Sequence, residues 1–544
     1  MEALFLTGIF SRKTNSKIVI FAYNQTHTYM KKFLFSLIIL GFISGLNAQV
    51  RYLDDVFTRS QVQTSTNVVY GQNYYFLSYP PALPGTSANN PQIADLQMDV
   101  YTPPNSDTAQ NRPLVILCHT GSFLPRYFNG YPVGRKDDST LVEVAHRWAM
   151  KGYVVASINY RLGWNPLAST QVERTRQILN AVYRAIHDAQ TAVRFFKKDA
   201  ATTDTYKIDP ERIFMFGQGS GAFVSLAYNF LTEQSETALP KFLDGNGNSV
   251  IDTNLVGFVD GIGGTYNVYN HAGYTNKVAM AGNWGGAMGD ISWMNNIWPK
   301  VPVAGLHCRK DQFSDIDSGN VIVPATGQVV VFVHGTRTVV KKAVLQGLND
   351  IWVNHTFTDP YSTRAYTLNP ANTSEGLFQF EIADIPNSTQ QEAAPWEWWD
   401  STAATQQATT EGSIYAGMVH TNGVGGNPDM SAAKGRAYCD TIVGFLTPRM
   451  HMVITDPTLS VETNKDIEYS VYPNPSFDNI TIHLSENVMI KGITVSDLMG
   501  KIILTRSDIN SEQFILNRSG VAAGTYFITV ETAKGNFIHK IIIQ

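Results

Sequence analysis

The sequence predicts an α/β protein with a mostly parallel sheet flanked by helices, followed by a small C-terminal β-sandwich. Three observations carry that expectation. Short apolar runs recur between helical periodicities before residue 450, one long segment has apolar residues at three-and-four spacing, and beyond 450 the pattern changes to apolar/polar alternation between turn residues. A chain of 544 residues is long enough for two or three domains.

The apolar runs are "PLVILCH", "GYVVASINY", "RIFMFG", "NLVGFVDGIGG" and "VPVAGLHC". Runs of this kind, each followed by a helix or a long loop, belong to strands covered on both faces. Between the second and third, Ile178, Val182, Ala185, Ile186, Ala189, Val193 and Phe196 line one face of a helix spanning Thr170 to Lys197. Thr170 and Glu173 form a candidate capping box at its start. After residue 450, "YSVYPNPSFDNITIHLS", "IKGITVSDLMGKIILT" and "AAGTYFITVETAKGNFIHKIII" read as antiparallel strands of about 80 residues in all.

Composition excludes some partners. Charged residues make up 16% and aromatics 11%, with a net charge of −4. No basic run exists to neutralise a phosphate backbone, so nucleic acid is not an expected partner. "MKKFLFSLIILGFISGLNAQ" has the charge, core and small-residue order of a secretory signal over residues 30–48, with cleavage expected after Ala48. Residues 1–29 then form a leader or an over-extended start. No other segment reaches about 18 apolar residues, so no transmembrane segment is expected. Cys118, Cys308 and Cys439 are too few for a disulfide framework and read as small buried hydrophobes, with one pair left open as a disulfide.

Two resemblances follow from these motifs. "YPNPSFDNITI", "DLMGK", "GTYFITV" and the final "HKIIIQ" resemble the C-terminal sorting domain of type IX secretion cargo of Bacteroidota. That implies export through the periplasm and outer membrane, with the type IX machinery as partner and a secreted or cell-surface location. The corresponding domains are 49–450, a linker at 451–466 centred on the Thr-rich stretch from Ile454 to Asp466, and 467–544. The order "LQMDVYTPP", "PLVILCHTGSF", "INYRLG" and "DPERIFMFGQGSGA" resembles the α/β-hydrolase fold, in particular its carboxylesterase and hormone-sensitive-lipase-like members. The resemblance implies a carboxylic-ester hydrolase acting by serine chemistry on an extracellular ester, with no cofactor and no metal.

The expected catalytic groups fall unevenly on this sequence. A nucleophile elbow needs very small residues two before and two after its apex. Gly217 and Gly221 meet that need around Gly219, and the resemblance also puts the nucleophile seven residues after Arg212, at Gly219. Ser220 serves as nucleophile only if the turn is shifted by one residue, and Ser122 ranks behind it. Gly121 and Ser122 of "HTGSF" are the candidate oxyanion loop. Asp311 of "LHCRKD" matches the acid position, with Asp315 close by. For the base, "DIWVNHTFTDPYSTRAY" reads as the last strand with His355 inside it. His420 in "YAGMVHTNGVGGNPDMS", before a final helix at Ser431 to Leu446, is the candidate base, and His334 is the third choice.

Two further motifs stay open between function and structure. "DGNGNSVID", Asp244 to Asp252, is either a calcium loop lacking two required positions or a surface turn. "PWEWWD", Pro395 to Asp400, is either a stacking platform at the cleft or packing for an insertion. The alternative to the enzyme is a catalytically degenerate relative, with Gly219 at the nucleophile position, that binds an extracellular ligand.

Overall fold

The computed structural model describes residues 49–544 except 77–90, 127, 296, 298–299, 323–327, 370, 382–391, 456–468, 485–487, 498–500, 519–520 and 533–534. The leader, the signal segment and most of the expected linker lie outside the described residues.

Eight strands form one sheet in the order β1-β2-β4-β3-β5-β6-β8-β11. They are β1 (Gln63–Tyr75), β2 (Gln92–Thr102), β3 (Arg112–Cys118), β4 (Val154–Ile158), β5 (Ile208–Gln218), β6 (Met280–Trp284), β8 (Val303–Cys308) and β11 (Leu377–Phe380). β2 runs antiparallel to both β1 and β4, and every later pairing is parallel. In β3, Leu114, Ile116 and Cys118 enter one core while Val115 and Leu117 enter the other, as the two-residue period of a strand requires. A strand with both faces buried can only be uniformly apolar, which is why "PLVILC" carries no alternation.

The first face is covered by α2 (Gln171–Thr202) and α3 (Ser220–Phe230), the second by α1 (Ser139–Met150) and α8 (Ala432–Thr455). Thr170 caps α2 by accepting from Glu173 N at 3.2 Å. The reciprocal half of the box is absent because the Glu173 carboxylate bonds Arg176 and Gln177 instead. α2 ends where the Asp199 carboxylate takes the N–H groups of Thr205 and Tyr206, turning the chain into β5. Arg161, just after β4, donates to Asp188 of α2 at 2.9 Å, with both side chains buried. This pair ties helix to sheet and accounts for the arginine of "INYRLG".

Two expected strands are corrected. "NLVGFVDGIGG" is a helical turn, Thr253–Val256, followed by turns through Gly257 and Gly261 at positive φ, which a continuous strand cannot accommodate. "DIWVNHTFTDPYSTRAY" is also helical: a turn at Asp350–Val353, then α5 (Pro360–Leu368), capped by Asp359, with Pro360 at its first turn. The last strand is β11, later in the chain.

An insertion between β8 and β11 carries β9 (Ser318–Ile322) and β10 (Val329–Gly335), which pair antiparallel, with β7 (Ala287–Met288) on the other side of β10. α4 (Thr336–Leu345) follows β10 directly, and α6 (Ser401–Thr410) and α7 (Val419–Gly426) follow β11. The final helix runs on to Thr455, with Val453 in the core, so residues 451–455 belong to the first domain and not to a linker.

The C-terminal strands form two sheets, β12-β13-β16 (Tyr469–Tyr472, Asn479–Leu484, Gln513–Asn517) and β15-β14-β17-β18 (Ile502–Arg506, Ile490–Asp497, Gly524–Thr532, Gly535–Ile543), all antiparallel. Their inner faces share a core of their own, including Ile480, Ile482, Val495, Leu516, Ile528 and Ile541. The three cysteines are free and buried.

Candidate functional site

β5 ends at Gln218, and α3 begins at Ser220. The single residue between them, Gly219, sits at φ 52°, ψ −119°, the strained apex of a strand-to-helix elbow. A Cβ on Gly217 would lie 2.0 Å from Gly221 O, and one on Gly221 would lie 2.1 Å from Cys118 O. Both flanking positions therefore have to be glycine for strand and helix to pass. Ser220 occupies the first helical turn, not the apex. Its Oγ makes one long contact, 3.5 Å to Tyr160 Oη, and among the described residues no histidine bonds it.

Thr120 fills the space above the apex. A Cβ on Gly219 would meet Thr120 Oγ1 at 2.3 Å and Thr120 Cβ at 3.0 Å. The loop that follows is held open by backbone geometry: Gly121 has φ 121°, and Ser122 and Phe123 adopt left-handed φ values of 54° and 57°. Ser122 O accepts from Trp164 Nε1 at 2.8 Å, and a Cβ on Gly121 would meet Gly134 Cα at 2.9 Å. His119, buried and stacked on Tyr160, is kept neutral because burial pushes its imidazole down to about 4.

A cavity of about 180 Å³ opens beside the elbow. One end is apolar, walled by Ile178 and Val182 of α2, Phe223 of α3, Trp293, and Val331 and Val333 of β10. The other end is polar and is lined by Gln218, Gly219, Ser220, Asp311, Ser314, Trp396 and Glu397, with Thr120, Gly121 and Ser122 alongside.

The expected residues divide between this cavity and the rest of the molecule. Ser220, Asp311, Gly121, Ser122 and Gly219 all line it. His420 does not: it lies on α7, where Nδ1 accepts from Trp399 Nε1 at 3.2 Å. His355 stands beside Phe357 on another surface, and His334 of β10 pairs its Nδ1 with Ser318 Oγ. None of the three lines the cavity, and His355 lies in a segment that is helical on either side and not the last strand. Asp311 Oδ1 accepts from Phe313 N and Ser314 N, and its Oδ2 lies 3.3 Å from Nε2 of the buried His307. His307 Nδ1 in turn meets Thr336 Oγ1 at 2.8 Å. Asp315 accepts from Asp317 N and closes a turn.

Glu397 is the site residue that sequence reading missed. It follows β11, the true last strand, in the chain position where a hydrolase carries its base, and Gln218 Nε2 donates to its Oε1 at 2.5 Å. Burial first, then the negative charges of Asp138 and Asp311, push its carboxyl up to about 8, so it is protonated at neutral pH. Asp138, at the start of α1, is itself raised by burial to about 6. Locating the end of the sheet correctly was the signal that would have found Glu397.

Of the "PWEWWD" aromatics, Trp396 is buried at the cavity, whereas Trp398 packs beside Arg436 and Gly435, and Trp399 on Gly423. Asp244 Oδ1 accepts from Asn246 N and Asn248 N, which makes "DGNGNSVID" a self-bonded turn. Among the described residues no group of three or more His, Cys, Asp or Glu side chains could hold a metal ion, and no helix is long and apolar enough to cross a membrane.

The sheet order, the elbow and the C-terminal sheets agree with two family matches. Residues 98–277 match the BD-FAE family, and residues 470–544 match the secretion system C-terminal sorting domain. The chain is an α/β-hydrolase-fold protein with a type IX sorting tail. Among solved structures it is similar to Thermogutta terrifontis esterase 2 phosphorylated by paraoxon, at 14% identity and a TM-score of 0.26 over 48% of this chain and 75% of that one. The butyrate-bound form of the esterase from that species is similar at 12% identity and 0.27, over 53% and 80%. A truncated carbohydrate esterase from gut microbiota is similar at 17% identity and 0.27, over 48% and 80%. No curated protein matches the chain. In this α/β-hydrolase-fold protein the sorting tail marks the chain for export through the outer membrane, to the medium or the cell surface.

Proposed function

We propose that this exported α/β-hydrolase-fold protein binds a small amphiphilic ligand in the cavity beside the elbow and performs no serine-hydrolase chemistry. The observation that carries the reading is the elbow apex: Gly219 has the conformation of a nucleophile, no side chain, and Thr120 Oγ1 2.3 Å from where a Cβ would stand. A covalent route needs a hydroxyl or thiol at that point with a base in reach. Here the base position holds Glu397, a protonated acid bonded to Gln218. The cavity itself is retained, apolar at one end and polar at the other, as small-molecule sites are.

The competing reading is an ester hydrolase using Ser220, with Asp311 orienting a base and Gly121 and Ser122 binding the oxyanion. In its favour, those four residues line the cavity and residues 98–277 match the BD-FAE family. Against it, His420 lies away from the cavity and Ser220 Oγ has Tyr160 as its neighbour.

A fluorophosphonate probe followed by peptide mass spectrometry separates the two. The wild-type chain is expected to take no adduct. Gly219→Ser alone is expected to stay unlabelled because Thr120 occupies the space, whereas Thr120→Gly with Gly219→Ser and Glu397→His is expected to gain label at position 219. Adduct on wild-type Ser220 would sink the binding reading and establish a serine hydrolase.

A further inference from the structure

The polar end of the cavity offers no free charge. Among the described residues, no Lys, Arg or His lines the cavity. Asp311 lines it, but both its oxygens are engaged: Oδ1 accepts from Phe313 N and Ser314 N, and Oδ2 lies 3.3 Å from His307 Nε2. Glu397, held as a protonated acid, brings an O–H and no charge. The Gln218 amide nitrogen that donates to Glu397 Oε1 has no lone pair with which to accept that O–H. An ionic head group therefore finds no unspent counter-charge here.

Two buried groups of opposite kind are unpartnered at this end. Gln218 and Trp396 are each 1% exposed, and among the described residues nothing donates to Gln218 Oε1 and nothing accepts from Trp396 Nε1. Both residues line the cavity, and Glu397, bonded to Gln218, is the chain neighbour of Trp396. No hydrogen bond joins the two orphaned atoms to each other, so one acceptor and one donor are left to a third party. The Ser314 hydroxyl, 5% exposed, is also unpartnered and can serve in either sense. The other amide of the cavity wall shows the contrast: Asn129 Nδ2 donates to Val133 O at 2.8 Å and its Oδ1 accepts from Tyr131 N at 2.7 Å. Buried polar atoms are paired as a rule, so a facing donor and acceptor without partners call for a group that answers both.

We propose that this end of the cavity receives a neutral head group that donates and accepts at once, a carboxamide or a hydroxyl on a short apolar chain, donating to Gln218 Oε1 and accepting from Trp396 Nε1. An ester or a carboxylate answers only the tryptophan donor, and an ammonium answers only the glutamine acceptor. The two ions also shed their hydration with no free opposite charge to replace it. The apolar end, walled by Ile178, Val182, Phe223, Trp293, Val331 and Val333, takes the chain. This inference rests on the ligand-binding reading and specifies its head group.

The test is calorimetric titration of the full chain at neutral pH with five probes of similar tail: hexanamide, 1-hexanol, methyl hexanoate, hexanoate and hexylammonium. The tighter of the first two, which identifies the head group, is expected to bind about tenfold better than each of the other three, the worth of one buried hydrogen bond. A site without the paired donor and acceptor gives the reverse order for the neutral probes, because an ester is less costly to dehydrate than an amide or an alcohol. Gln218→Met removes the acceptor and is expected to erase the preference over methyl hexanoate. Trp396→Phe removes the donor and is expected to erase the preference over hexylammonium. Circular dichroism checks that each variant folds; either one carries the test if the other does not, and the wild-type ranking decides if neither does. Methyl hexanoate, hexanoate or hexylammonium binding as tightly as the favoured neutral probe overturns the head-group assignment, and so does either preference surviving its own substitution. Those outcomes leave the ligand-binding reading standing. No heat with any probe overturns both.

Discussion

Thr120 and Gly219 are a matched pair. The threonine side chain occupies the volume that a side chain on residue 219 would need, and the glycine accepts the backbone conformation that the turn imposes. Restoring one without the other therefore restores nothing. Glu397 is the third member of this altered site, and its protonation has a consequence for stability. In the unfolded chain its carboxyl titrates near 4.5, and in the folded protein near 8. Between those values the native state holds a proton that the unfolded state has released, so stability falls as pH rises through that window. Glu397→Gln removes this loss. The variant and the wild type are expected to have similar melting temperatures near pH 4.5 and to separate as pH approaches 8, with the variant the more stable. The limiting slope is about 1.4 kcal/mol per pH unit. Asp138, raised to about 6, adds a smaller loss of the same sign in both proteins. Parallel melting curves across that range would show that Glu397 is ionised in the native state.

At the scale of elements, α8 is held against the edge of the sheet by one buried ion pair. Arg449 donates through Nε and Nη2 to Glu375 Oε1, at 2.9 and 2.5 Å, just before β11, and through Nη1 to Ser362 of α5. Both charges are fully buried, and the guanidinium stacks on Phe445 at 3.7 Å. Removing one partner leaves the other charge uncompensated in a low-dielectric interior. Glu375→Ala is expected to cost about 3 kcal/mol or more in denaturant unfolding, whereas Arg449→Met with Glu375→Leu, which removes both charges, is expected to cost less than the single change. Equal losses in the two would show that shape, not charge, holds this corner. The β9–β10 hairpin contributes differently: its Val331 and Val333 wall the apolar end of the cavity, so an insertion in the sheet, and not the sheet itself, sets what tail can enter.

At the scale of the whole molecule, the C-terminal sheets bury their own core, which includes Leu484, Val495 and Val530. Two cores that form separately should unfold separately. A chain ending at residue 455 is expected to keep the melting temperature of the first domain within about a degree and to lose export, accumulating inside the outer membrane of a host that carries type IX secretion. A large fall in melting temperature on truncation would show instead that the tail stabilises the first domain.

What the sequence by itself determined was everything written in local or periodic terms. Gly217 and Gly221 announced the elbow and set its register on Gly219, because close backbone passage permits no other residue at those two flanking positions. The apolar faces of α2, β3, β4 and β5 announced the sheet and its cover, and the ordered motifs from residue 470 announced the tail. What only the tertiary structure decided was which distant groups meet. The helical segments around Asp350–Val353 and Pro360–Leu368 displaced the last strand to Leu377–Phe380, and with it the position of the base from any histidine to Glu397. Thr120 became significant only once it stood over Gly219, and Glu397 only once Asp138 and Asp311 acted on it from separate loops. The physical reason is one of range: steric and periodic constraints act between near neighbours in the chain, whereas burial and charge act between residues that only the fold brings together.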